Sequence, residues 1–472
     1  MIFDSAIFLF AFLPIAIAAL FFAPKRYSNL VLVLLSLVFY AWGNVPGVIV
    51  LILSIGINYI GAIQIGKVRG NKERAKKMLF IFCGIDLLLL ILCKYVSSLI
   101  GAADFMAADN EMFLAPIGVS FYMLQNISYL VDVYFGETRV IENVVDYAAF
   151  ISMFPKLIAG PLCATSQFEK QLKNRKVSVG RLCDGLLLFV QGFAKKIILG
   201  GGMYVIFEEI TSLPGKETSA LTAWLGCLAF AFRIYFELGG YFDMGKGLAK
   251  MMGMELPDNM NYPLLSKGIM DFWSRYMTTL WDWFRNYIYL PLSKGNVKGI
   301  YGFVCLCVTW VLMGLWHGPA LHYVLWGLYF AVLIYLEGFV FYEFLEKIPS
   351  IIRWIMTLVL LLFGWALFFN PTIQSTGSYI LRLIGVGGSG FADARFMSLI
   401  ADHAILWIAG ILFATPLPDM LYRKIIWAGE KWQIIFNALV YACLFVLSVS
   451  AIMSGMEHVF YYLRFKQIEY RS

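Results

Sequence analysis

Charge is scarce in this sequence. Asp, Glu, Lys and Arg make up 14% of its 472 residues, against about 25% in a typical soluble domain. Hydrophobic residues make up 61%, so a water-soluble globular enzyme is excluded. Polar linkers are also missing. No loop joins low hydrophobicity to the length needed to fold alone, and no Ser- or Pro-rich stretch or internal repeat divides the chain. Residues 1–472 are therefore expected to form a single integral-membrane domain. Short alternating apolar segments are lacking as well, which argues against a β-barrel. The eight cysteines are scattered singly, apart from Cys305 and Cys307. Those two would lie about 200° apart on a helix, out of position to share a metal, and no metal is expected. Histidine is rarer still, with four in the whole chain.

Apolar runs supply what charge does not. Segments 78–100, 320–345, 350–369 and 432–456 each exceed or match the roughly 18–20 residues that span a bilayer. The fold class is all-α, a polytopic membrane protein. At the N-terminus, Asp4 stands where a secretion signal would be basic, and no small-residue cleavage pattern precedes Pro24. The expectation is a retained first helix.

The net charge of +7 is explained by orientation in the membrane. GKVRGNKERAKK at 66–77 carries six basic residues and one acidic, and FEKQLKNRKVSVGR at 168–181 is also basic. Between them, 101–111 has Asp104, Asp109 and Glu111 and no basic residue. Excess Lys and Arg marks cytoplasmic loops, so the two basic loops are placed inside and 101–111 outside. Counting back through 45–65, 29–43 and 6–22 puts the N-terminus outside. Several spans are interrupted: Pro116 and Gly118 break 113–135, and Pro155, Gly160 and Pro161 break 147–165. The backbone groups freed there need protein or a water-filled cavity to satisfy them. The breaks are read either as kinks or as re-entrant segments.

Segment 267–292, KGIMDFWSRYMTTLWDWFRNYIYLPL, differs from the rest. At about 100° per residue, Lys267, Asp271, Ser274, Arg275, Thr278, Asp282, Arg285 and Asn286 share a third of a helical wheel. Phe272, Trp273, Tyr276, Leu280, Trp283, Phe284 and Tyr287 face the other way. Asp271 with Arg275 and Asp282 with Arg285 have spacings that let ion pairs form. The pattern predicts one helix in the membrane interface, serving either as an anchor or as the mouth of a ligand passage. Upstream, Asp243 follows two glycines. It is placed either to pair with Lys246 or to orient a buried polar partner.

Two of the four histidines fall in VLMGLWHGPALHYVLWGLYF, 311–330. Gly318-Pro319 breaks the helix after His317, because proline disfavours helix at the preceding residue. Imidazole titrates near neutral pH, which suits it to take a proton from a thiol or hydroxyl or to attack a thioester. The bland alternative is a hydrogen-bonded packing residue. His322, His403 and His458 are weaker candidates.

Taken together, GLWHG at 314–318, FWSRYMTTLWDWFRNYIYLPL at 272–292 and GGYFDMGKGLAKMMGMELPDNMNYPL at 239–264 resemble the membrane-bound O-acyltransferase superfamily. APIGVSFYMLQNISYLVDVYFG, FPKLIAGPL, VQGFAKKIILGG, the opening MIFDSAIFLFAFLPI and the closing FYYLRF, in the same order, resemble its bacterial branch with the alginate O-acetyltransferase membrane subunit. The resemblance covers nearly the whole chain. It implies about a dozen transmembrane helices, with re-entrant and interfacial helices, round a central funnel whose waist holds the catalytic His317. Trp316, Asp243, Asp271, Arg275, Trp283, Arg285, Tyr287 and His322 would support it or line the passage. It also implies acetyl-CoA as cytosolic donor, an exported or cell-envelope polysaccharide as acceptor, a secreted or anchored acetyltransferase as partner and a bacterial cytoplasmic membrane as location. Donor and role stay open between this reading, D-alanyl transfer from an acylated carrier protein in teichoic-acid modification, and a non-catalytic transporter or scaffold. The chain departs from the family pattern twice. Arg275-Tyr276-Met277 stands where R-W-H is common, and Phe330 stands where a second histidine is common in a G-x-x-H context.

The loop charges predict sidedness. On a cysteine-free background, cysteine at Ser98 or Ala108 is expected to react with an impermeant maleimide from outside the cell, and cysteine at Asn71 is not. The reverse pattern would overturn the orientation.

Overall fold

The computed structural model describes residues 1–96, 116–427 and 430–454. The acidic 101–111 loop, His458 and the closing FYYLRF lie outside them. The described residues are helical, and their one extended pairing is an isolated bridge between Met260 and Tyr276.

In the order used below, the helices are α1 (Phe8–Phe22), α2 (Ser28–Ala41), α3 (Val45–Val68) and α4 (Lys72–Tyr95). They are followed by α5 (Val119–Phe135) and α6 (Val144–Ser152). Then come α7 (Ala220–Met251), α8 (Gly299–His317), α9 (Leu321–Val340), α10 (Ser350–Phe369) and α11 (Ile434–Met453). Seven described helices, α3, α4 and α7 to α11, are long and apolar enough to cross a membrane. An eighth is reached if Ala394–Asp402 and Ala404–Phe413, bent by 69°, count as one broken span. The shorter α1 and α2 are also apolar. This is the polytopic all-α membrane protein expected from the apolar runs.

The chain clusters into two compact units. One comprises Met1–Val190 and Tyr241–Pro257, and the other Gln191–Gly240 and the described residues from Asp258 onward. In the first, local signals set the helix starts. Asn44 caps α3 by accepting from Gly47 N–H at 2.8 Å, and Asn71 caps α4 by accepting from Arg74 N–H at 3.1 Å. The Asn71 cap extends α4 into the basic loop, so the span starts before the expected residue 78. Phe12, Phe39 and Phe154 pack with ring centroids 5.3–5.7 Å apart.

Both proline–glycine breaks are present in this unit, and protein satisfies them. Gly118 takes φ +78° directly before α5, where a Cβ would lie 2.4 Å from the Leu157 carbonyl oxygen. After α6 the chain turns at Met153, and the freed Phe154 N–H donates to Ser36 Oγ at 3.1 Å. The Gln125 amide meets the next irregular stretch on both sides. Its Oε1 accepts from Cys163 N–H at 2.9 Å and its Nε2 donates to the Cys163 carbonyl at 2.8 Å. One buried amide thus replaces a turn of helical hydrogen bonding.

In the second unit, α8 and α9 form a tight antiparallel pair. A Cβ on Gly314 would lie 2.2 Å from the Tyr323 carbonyl oxygen, and one on Gly327 would lie 2.3 Å from that of Trp310. Small residues let the two backbones touch, which is how helices associate where no hydrophobic effect drives them together. The glycine opening GLWHG is therefore a packing residue. Tyr329 of α9 adds α10 by donating to the Leu360 carbonyl at 2.8 Å.

Gly314→Val is expected to force α8 and α9 apart, an overpacking cost of about 1–3 kcal/mol or more, read as a lower unfolding temperature in detergent. Gly56→Ala in α3, which meets nothing within 4 Å, is expected to leave that temperature unchanged.

Candidate functional site

His317 is the last residue of α8, and the chain breaks at Gly318 before α9 begins at Leu321. Its imidazole stands in a box of rings. Trp316, Trp326 and Phe368 meet it nearly perpendicular, at centroid distances of 4.9, 5.3 and 5.0 Å, and Tyr323 lies tilted at 5.9 Å. Edge-to-face packing of this kind fixes a ring's plane. The residue as a whole is half-buried, and Nδ1 is buried.

The box continues into an aromatic wall. Trp326 packs on Trp310, Trp273 and Phe330, with centroids 5.3–5.8 Å apart. Phe330 is fully buried there, 5.0 Å from Trp273 and 5.6 Å from Trp310. The aromatic side chain at 330 suits this wall.

His322, in the first turn of α9, has a different setting. It is buried against Tyr323 at 4.0 Å and beside the Pro371 backbone carbonyl, an environment of packing. His403 pairs with Glu209 at 3.0 Å.

Segment 267–292 is not the single helix expected. It breaks into Ile269–Trp273, Thr278–Phe284, a wider turn over Arg285–Tyr289 and Leu290–Ser293. The cause lies upstream. Residues 258–261 run alongside 275–279: Asn261 N–H donates to the Arg275 carbonyl at 2.9 Å and Thr278 N–H to the Asn259 carbonyl at 3.2 Å. Asn259 is buried, and its Oδ1 accepts from both the N–H and the hydroxyl of Thr279 at 2.9 Å. Between these anchors Met277 takes a left-handed conformation, φ +49°.

The division of faces survives the break. Phe272, Trp273, Tyr276, Leu280, Trp283 and Phe284 are buried, and Lys267, Ser274, Asp282, Arg285 and Asn286 are exposed. Asp271 and Arg275 pair at 2.5 Å. Asp282 and Arg285 do not pair, because the regular helix ends between them. Trp283 stacks near Tyr287 at 5.4 Å.

His317, Trp316, His322, Asp271, Arg275, Trp283, Arg285 and Tyr287 thus all belong to the second unit, where Trp273 and Trp326 link segment 269–273 to the ring box. Asp243 belongs to the first unit, half-buried on α7 like Lys246.

Two positioning residues were missed by sequence reasoning. Asn259 lay within a quoted stretch, but nothing in its own neighbourhood announced a partner twenty residues on. Glu337, near the end of α9, accepts from the N–H groups of Ile269 and Met270 at 2.5 and 3.1 Å. It ties the helix that follows His317 to the segment carrying Trp273. A Cβ at Gly268 would lie 2.6 Å from its Oε1. A lone carboxylate in an apolar run was the signal available for it.

Residues 137–370 match the model of the membrane-bound O-acyltransferase family. The chain is 34% identical over 409 residues to the probable alginate O-acetylase AlgI of Pseudomonas syringae pv. tomato, covering 84% of this chain and 78% of the relative. The chain belongs to the membrane-bound O-acyltransferase family. It is accordingly a multi-span membrane O-acyltransferase and requires an acyl donor. Two further relatives are less similar. The peptidoglycan O-acetyltransferase of Helicobacter pylori is 28% identical over 478 residues, 90% of this chain and 88% of its own. The teichoic acid D-alanyltransferase of Bacillus subtilis is 27% identical over 290 residues, 58% of this chain and 71% of its own.

Asn259→Ala removes one acceptor from two donors of Thr279. A cost of about 0.5–1.5 kcal/mol per hydrogen bond lost is expected, read in detergent as a lower melting temperature. Asn259→Asp, which keeps the acceptor, is expected to lose less.

Proposed function

We propose that this acyltransferase moves an acetyl group from cytosolic acetyl-CoA across a bacterial cytoplasmic membrane for O-acetylation of an exported or cell-envelope polysaccharide, with a secreted or anchored acetyltransferase completing the transfer. Similarity to alginate and peptidoglycan O-acetylating relatives over most of the chain supports the substrate class. The observation that carries the chemistry is the setting of His317. Its plane is held by four rings and its Nδ1 is buried, at the break between two apolar helices.

In this reading Nε2 takes the proton of the acceptor hydroxyl as its oxygen attacks the thioester carbonyl. The C–S bond breaks, and the thiolate leaves with a proton returned by the imidazolium. Alternatively Nε2 itself attacks and carries the acetyl group in two steps. Trp316 holds the ring. The Asp271–Arg275 pair, Arg285, Trp283 and Tyr287 flank the donor entrance, and His322 supports the passage. His322 has a packing role, which its burial supports.

The test is transfer from labelled acetyl-CoA by purified protein without any carrier protein, at matched expression of the variants. His317→Ala is expected to lose about 10²–10⁴-fold if the imidazole is a base, and nearly all activity if it is a carrier. His322→Gln is expected to keep most activity. Wild-type transfer by His317→Ala would overturn the assignment. Transfer only from an acylated carrier protein would favour the D-alanyl reading.

A further inference from the structure

A carboxylate lies inside the first unit, on a membrane-spanning helix and away from any counter-charge. Asp86, on α4, is fully buried, as is Asn58 on α3. Asn58 Nδ2 donates to Asp86 Oδ1 at 2.7 Å and also to the Ser54 carbonyl at 3.0 Å. Among the described residues, two atoms of this pair have no hydrogen-bond partner, Asp86 Oδ2 and Asn58 Oδ1. They are the second oxygen of the acid and the oxygen of the amide that already faces it.

Among the described residues, the surroundings offer nothing to balance a negative charge. Among the described residues Asp86 forms no ion pair, and its one side-chain hydrogen-bond partner is Asn58. The titratable groups facing it are the Cys83 thiol on its own helix, Tyr122 of α5 and Tyr147 of α6. None of these is a cation. An ionised carboxylate with one neutral hydrogen bond, out of water, costs far more than such a bond returns. A carboxylic acid has no such cost, and it gains a donor that fits the oxygen left over on Asn58.

We propose that Asp86 is an intramembrane proton-binding site. Its Oδ2 holds a proton and donates it to Asn58 Oδ1, which closes a reciprocal acid–amide pair between α3 and α4. The pair is the end of a polar chain crossing four helices. Ser54 Oγ accepts from Asn126 Nδ2 at 2.6 Å, and Asn126 Oδ1 accepts from the Tyr147 hydroxyl at 2.7 Å. Ser54, Asn126 and Tyr147 are all fully buried. With the proton present, the donors and acceptors of the acid–amide pair match across two helices. Without it, Asn58 Oδ1 and a charged oxygen face each other with no hydrogen between them. The ligand is a proton, and the site is independent of the assignment of His317.

The experiment uses the full-length protein in detergent at neutral pH. Infrared spectra are expected to contain a carboxylic-acid C=O band that moves when aspartate is ¹³C-labelled, which assigns it to aspartate without any variant. Asp86→Asn should remove the band and keep the fold, since an amide there still donates to Asn58 Oδ1. Asp86→Leu, which denies Asn58 Oδ1 a donor and removes one of the two acceptors of Asn58 Nδ2, should lower the melting temperature. The exchanged variant Asn58→Asp with Asp86→Asn rebuilds the pair with roles reversed, and should restore both band and stability. Absence of an aspartic-acid band would overturn the proposal, as would its persistence in Asp86→Asn. Melting raised by sodium chloride but not by choline chloride, in wild type and not in Asp86→Asn, would also overturn it, in favour of an ionised carboxylate holding a metal cation.

Discussion

Water is absent from the hydrocarbon layer, and every backbone N–H and C=O that leaves a helix there needs a partner from the protein itself. Much of the architecture follows from how this chain meets that demand while still breaking its helices. Gln125 stands in for a turn of helix at Cys163, and Ser36 answers the N–H of Phe154. Glu337 answers two more at Ile269 and Met270, and Asn259 answers Thr279. In each case a polar side chain on one segment makes an irregular backbone possible on another. These polar residues are few, and their placement determines where the chain turns.

Glycine serves the same end by a different route. Where Gly314 and Gly327 bring α8 against α9, carbonyls of the neighbouring helix occupy the space a side chain would fill. The hairpin ends in the His317 break, so the closeness of its two backbones decides which rings surround the imidazole. Trp326 and Tyr323 reach it from the second helix and Trp316 from the first. Phe368, from α10, closes the box. The shape of these four rings orders the site.

Legibility from sequence followed the range of the forces. The span 350–369 is apparent from its composition alone, and the helix break after His317 from one Gly-Pro pair. The buried and exposed faces of 267–292 are also correctly read from periodicity, since burial of Trp273 and Trp283 depends on residue type. The continuity of that helix is not. Its interruption at Met277 is imposed by residues 258–261, and no local propensity reports a bridge to another segment. The Asp282–Arg285 pair is absent for a different reason, the end of the regular helix at Phe284. Asn259 and Glu337 are likewise invisible to periodicity, because each acts on a segment other than its own.

The clasp at Asn259 also bears on the order of folding. Asn259 and Thr279 are separated by twenty residues, so closing the loop between them costs little chain entropy. The upstream partner emerges first during synthesis, and the left-handed turn at Met277 can form as soon as Thr279 follows it. Glu337, by contrast, is 68 residues from Ile269, with α8 and most of α9 between them. The segment carrying Trp273 is therefore shaped by a short-range contact and fastened by a long-range one, whose closure costs more chain entropy.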